Sequence, residues 1–87
     1  LTKTAAIENA RTGVRVNAVC PGSVGTPALR AHMAKAPAIA KGILATQPGG
    51  RLGRPEEIAE SVVWLCSERA SFVTGESVVA DGGAVAR

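Results

Sequence analysis

The 87 residues predict an α/β fold with a parallel sheet, and three observations carry that expectation. Patterns for helix, strand, helix, helix and strand follow one another, the order of repeated αβ units joined by right-handed crossovers. Residues 14–20 form a nearly continuous apolar run, as expected of a strand covered on both faces. That run breaks at Pro21-Gly22, and the chain restarts as a helix after Thr26-Pro27. The loop between them is the corner beyond a strand's carboxyl end where open α/β sheets place their ligands.

Composition narrows the function classes. A hydrophobic share of 46% belongs to a globular core, while aromatics at 2%, Trp64 and Phe72 alone, argue against an RNA surface built on base stacking. The net charge is +3 and the pI is near 9.4, but the basic residues are scattered from Lys3 to Arg87. Such scatter indicates a solvated surface and no nucleic-acid partner. Cys20 and Cys66 each lie in apolar surroundings far apart in sequence, the pattern of buried, reduced thiols in a cytoplasmic protein. They offer neither a disulfide framework nor a metal site. No apolar run is long enough to span a membrane.

Residues 1–11 read as a helix favoured by Ala5, Ala6 and Ala10, with Gly13 as a left-handed stop. The helix has no start signal, from which the chain is expected to be cut from something longer. In the strand at 14–20, Arg15 stands at the exposed beginning and Asn17 is the anomaly. A buried amide is costly unless both its ends are bonded, so Asn17 reads as a structural amide tying loops rather than as a ligand contact. Pro21 ends the strand, and Gly22 permits either an unusual φ or a ligand close to the main chain.

Thr26 before Pro27 is N-cap before N1, starting a helix over residues 27–35. Pro37 interrupts it ahead of a second helical piece at 38–46, with a modest apolar stripe of Leu29, Met33, Ile39, Ile43 and Leu44. A Pro-broken helix pair after a binding loop suits a movable lid, and an ordinary surface helix fits the pattern equally. Residues 47–54 connect; their glycines follow no strand and lack the Lys-Ser/Thr ending of a phosphate loop. Pro55-Glu56-Glu57 opens the strongest helix, with proline at N1 and two acids in the first turn. Ile58, Val62, Leu65 and Cys66 should face the sheet, and Trp64, off that stripe, should be buried against another element or another subunit. Residues 70–75 turn, and 77–80 form the last strand before Asp81-Gly82-Gly83.

Little else in the chain can do chemistry. Gly75-Glu76-Ser77 is half a nucleophile elbow, but Val79 occupies the second glycine position and Ser77 precedes its strand instead of following one. His32 has no carboxylate nearby in sequence to orient it as a base. Glu56 and Glu57 are consecutive, point apart on a helix and cap rather than catalyse.

Three runs together resemble the short-chain dehydrogenase/reductases. They are Asn17-Ala18-Val19-Cys20-Pro21-Gly22 with Val24-Gly25-Thr26-Pro27; Arg51-Leu52-Gly53-Arg54-Pro55-Glu56-Glu57-Ile58-Ala59; and Phe72-Val73-Thr74-Gly75 with Asp81-Gly82-Gly83. The resemblance covers essentially the whole chain and implies that residues 1–87 are the C-terminal part of one Rossmann-type, doubly wound parallel sheet. It implies a loop, Pro21 and Gly22 onward, passing under the nicotinamide of NAD or NADP. There the Val24 main chain would meet the carboxamide, and Thr26 the carboxamide or nearby phosphate. Gly25 departs from the larger, often polar residue of many relatives.

The family's Gly-rich dinucleotide loop, catalytic Ser and Tyr-x-x-x-Lys pair are not in this chain, which has no Tyr at all. The resemblance therefore implies an oxidoreductase acting on a small carbonyl or secondary alcohol, of which this part supplies no catalytic residue and is inactive alone. Leu29, His32 and Met33 are candidate substrate contacts in the lid. Relatives assemble as homotetramers or homodimers through the helix around Trp64 and the last strand. The alternative is a non-catalytic binding or oligomerisation module derived from the same fold.

Overall fold

The computed structural model describes residues 1–86; Arg87, last of the scattered basic residues, lies outside them. Four helices and two strands follow in the order α1 (Thr2–Asn9), β1 (Ala18–Pro21), α2 (Pro27–Lys35), α3 (Pro37–Ala45), α4 (Pro55–Leu65) and β2 (Ser77–Ala80). β1 and β2 pair in parallel, Ala18 opposite Ser77 through Pro21 opposite Ala80. The expected α/β class and parallel sheet are what the chain forms. No helix among the described residues is long and apolar enough to cross a membrane.

The local stop and start signals act as read. Gly13 closes a short 3₁₀ turn after α1 at φ +79°, and Thr26 Oγ1 accepts the Leu29 N–H at 3.2 Å to cap α2. The break between α2 and α3 falls on Ala36, at φ −138° and ψ +74°, and Pro37 is the first residue of α3 rather than the interruption itself. A residue before proline is pushed out of the helical region, whereas proline itself is at ease at N1.

The first strand is shorter than the 14–20 run. Beside the main-chain bond from Gly75 N–H to Val16 O at 2.8 Å, residues 15–17 are held by side chains: Val16 N–H donates to Thr74 Oγ1 at 3.1 Å, and Arg15 donates to the carbonyls of Val73 and Ser67. Asn17 is the structural amide expected. Its Nδ2 donates to Val73 O at 3.0 Å and its Oδ1 accepts from Glu76 N–H at 3.1 Å, fixing the register in which β2 enters.

Burial departs from expectation. Among the described residues the buried apolar ones are Ala6, Leu52, Leu65 and Ala70, and no large side chain is fully buried. Cys20 and Cys66 are both exposed, not buried thiols. Cys66 lies just past the end of α4, and Cys20 pairs with Val79, itself 51% exposed, so the full cover expected on both faces of β1 is not present within the described residues. Val62 and Trp64 are each 44% exposed, so the described residues cover each only in part. The cause is common to all four: a periodic pattern shows which face wants burial, but not whether a partner lies opposite.

α4 is held at its start by charge. Glu57 Oε1 accepts the Arg54 N–H at 2.9 Å, and its two oxygens receive Arg51 at 2.7 and 3.0 Å in a bidentate fork. The Arg51 hydrogen bonds, with the Arg54 N–H, hold the Glu57 carboxyl at a pKa of about 2, below its ordinary 4.5. Glu57 thus caps the helix as expected, whereas Glu56 makes no side-chain hydrogen bond or ion pair among the described residues.

Two outcomes follow from these contacts. Replacing Asn17 with Leu leaves Val73 O and Glu76 N–H without their side-chain partner and should lower unfolding free energy by about 1–3 kcal/mol, read by urea denaturation; an unchanged midpoint would refute the tie. Because the Glu57 pKa is depressed, its contribution is complete above pH 4.5 and is lost as pH falls toward 2. Glu57→Gln should therefore flatten the acid limb of a stability–pH profile in that window, an effect that shrinks in high salt because the pair is solvent-accessible.

Candidate functional site

The site is built where β1 ends. Gly22 N–H donates to Ala80 O at 3.1 Å, carrying the parallel pairing one residue past the strand. The sequence left two explanations for Gly22, an unusual φ or a close ligand, and the structure shows another. Its φ is not positive, and a Cβ there would lie 2.7 Å from Asp81 Cβ and 2.8 Å from Asp81 Cα. Gly22 is required because the chain after β2 crosses directly against it.

Beyond Gly22 the loop docks on the 51–54 connector. Gly53 N–H donates to Ser23 O at 2.9 Å and Gly25 N–H to Gly53 O at 2.8 Å, a parallel bridge centred on Val24 and Gly53. In a parallel ladder the residue between two such bonds turns its own N–H to the opposite side. Val24 N–H accordingly faces away from the connector and has no hydrogen-bond partner among the described residues. Next to it stands the start of α2, where Pro27 has no N–H, Leu29 N–H is taken by Thr26 Oγ1, and the Ala28 N–H is left without an intrahelical acceptor.

Pro21, Gly22 and Ser23 line a cleft of about 460 Å³ with Gln47 and Asp81. Val24 lines a larger one of about 630 Å³ that shares Ser23, Gln47 and Asp81 with the first. Thr26 lines neither and sits at the α2 start. The structure thus gathers three of the four loop candidates around adjoining hollows and places the fourth at the helix cap. Of the lid candidates, Met33 lines a separate cleft of about 610 Å³ with Leu44 and Leu52, while Leu29 is half-buried and His32 exposed.

Two residues that line the site were not among its sequence candidates: Gln47 and Asp81, the latter named only within the Asp81-Gly82-Gly83 motif. Gln47, read as linker, is 8% exposed and lies at the meeting of the two hollows. Asp81 accepts Gly83 N–H at 2.9 Å and Val85 N–H at 3.1 Å, shaping the turn after β2 that closes the site. An Asp before two glycines is a turn signal that could have found the second; nothing in the sequence marks the first.

A family model described as enoyl-(acyl carrier protein) reductase matches residues 1–85. A short-chain dehydrogenase of Pyricularia oryzae is 45% identical over 83 residues, 95% of this chain and 30% of that protein. An acetoacetyl-CoA reductase of Rhizobium meliloti is 47% identical over 83 residues, 95% of this chain and 34% of that one. The crystal structure of an Agrobacterium tumefaciens protein with bound NADP matches at a TM-score of 0.91 and 41% identity, covering 99% of this chain and 35% of its own. The chain spans about a third of the length of these relatives. With its parallel strand pair, its Pro-Gly loop and matches along nearly its whole length, the chain belongs to the short-chain dehydrogenase/reductase family.

Proposed function

We propose that residues 1–87 are the C-terminal segment of a single Rossmann-type domain in an NAD(P)-dependent oxidoreductase. In this reading they form the floor of the nicotinamide site. The observation that carries it is the Val24 N–H, turned outward by the bridge to Gly53 beside the capped start of α2. An outward main-chain donor and a helix N-terminus suit a carboxamide oxygen and a phosphate. Val24 would hold the carboxamide, Thr26 would add its hydroxyl, and Pro21-Gly22 would support the ring. The cofactor, when bound, supplies the hydride exchanged with a small carbonyl or secondary alcohol.

This chain's own part is to bind and orient. α2 and α3 are the lid of this reading, and Leu29, His32 and Met33 are its substrate-facing candidates. Proton transfer falls to residues outside these 87, so the segment alone is inactive. The exposed Val62, Val63 and Trp64 on α4 support assembly as a homodimer or homotetramer, and the two free cysteines suit a reducing cytoplasm. The same exposed apolar residues favour the second reading, a non-catalytic oligomerisation module of this fold. No nucleic acid is part of either.

In the full-length protein, Thr26→Val should weaken NAD(P)H binding about tenfold, measured by fluorescence titration, with Thr26→Ser nearly unchanged. Equal affinity for all three would remove Thr26 from the site. The 87-residue segment by itself should show no saturable NADH binding. A full-length protein that binds no nicotinamide cofactor but assembles through α4 would establish the oligomerisation module instead.

A further inference from the structure

Gly25 is buried, and the space above its Cα is taken by the side chain of Arg30. A Cβ at position 25 would lie 2.5 Å from Arg30 Nη2 and 2.8 Å from both Cζ and Nε. The same guanidinium donates from Nε to Gly25 O at 3.1 Å. Arg30 thus lies flat on the residue whose carbonyl it binds, and it makes no ion pair among the described residues; Arg51 and Arg54 share Glu57 instead.

The helix that carries Arg30 has few other anchors. Neither α2 nor α3 has a buried residue, so little burial fixes how the pair leaves the loop. What ties α2 back is its first turn, through the Thr26 cap and Arg30 N–H to Thr26 O at 2.9 Å, and the Arg30 side chain one residue further back on Gly25. The cap sets where the helix begins; the arginine, a full turn along, sets its direction.

We propose that Gly25 and Arg30 form a latch that fixes the lid helix on the nicotinamide-side loop, making Arg30 a positioning residue and the lack of a side chain at position 25 its requirement. The latch acts on Val24 and Thr26 from behind: it holds the angle between the loop that offers the Val24 N–H and the helix start that Thr26 caps. A larger residue at 25 evicts the guanidinium and frees the lid. Gly25 has no positive φ, so alanine is not strained there, and the group it would displace is the far end of a flexible chain. The fold should therefore survive a substitution that opens the latch.

The effect on cofactor use rests on the proposed function, whereas the effect on the helix does not, and the test reads both. In the full-length protein, Gly25→Ala, Arg30→Met and the double variant are compared by amide hydrogen exchange across residues 31–35 and by KM and kcat for NAD(P)H. Each single variant should speed exchange about five- to tenfold and raise KM several-fold with little change in kcat. The double variant should match the worse single one, because both changes remove one contact. Unchanged exchange in Arg30→Met, or additive effects in the double variant, would overturn the latch. Should Gly25→Ala fail to fold, Arg30→Met alone decides it. Faster exchange in a protein that binds no nicotinamide cofactor would keep the latch and refute the proposed function.

Discussion

The parallel pairing of Ala18–Pro21 with Ser77–Ala80 brings together residues almost 60 positions apart, and the site exists only because that pairing runs on past the end of the strand. Gly22 N–H still reaches Ala80 O, and the next step of the chain, at Asp81, packs against the bare Cα of Gly22. A side chain there would meet main chain, which cannot rotate away as a side chain can. The loop from Ser23 to Thr26 therefore starts from a fixed place and direction, and the outward turn of the Val24 N–H follows from it.

The pairing is set from its other end by polar side chains rather than by a hydrophobic core. Asn17 bonds both the carbonyl of Val73 and the N–H of Glu76, and Arg15 reaches the carbonyls of Val73 and Ser67. These contacts specify register without needing much apolar burial. That matters in a chain whose buried apolar set is Ala6, Leu52, Leu65 and Ala70. Its radius of gyration, 16.0 Å, exceeds the roughly 12 Å of a compact domain of this length. Exposed Cys20, Val79, Val62 and Trp64 are the counterpart of that small core.

Two glycines three residues apart illustrate how one residue type meets different constraints. Gly22 is fixed by backbone, so its replacement must move a strand connection. Gly25 is fixed by the tip of Arg30, so its replacement moves a side chain. The first constraint belongs to the fold; the second belongs to the relation between loop and lid, the part of the molecule with the fewest buried anchors.

The sequence by itself determined what depends on near neighbours: the left-handed stop at Gly13, the Thr26-Pro27 start of α2, the acid-capped start of α4, the double bonding demanded of Asn17 and the αβ order that implies a parallel sheet. Each is set by φ restrictions or hydrogen-bonding needs within a few residues. Tertiary structure alone decided which apolar faces found a partner, that Gln47 would be buried at the meeting of two hollows, and that Asp81 and Arg30 would stand against Gly22 and Gly25. Those outcomes depend on what lies opposite in space, and periodicity describes a face without describing what packs against it.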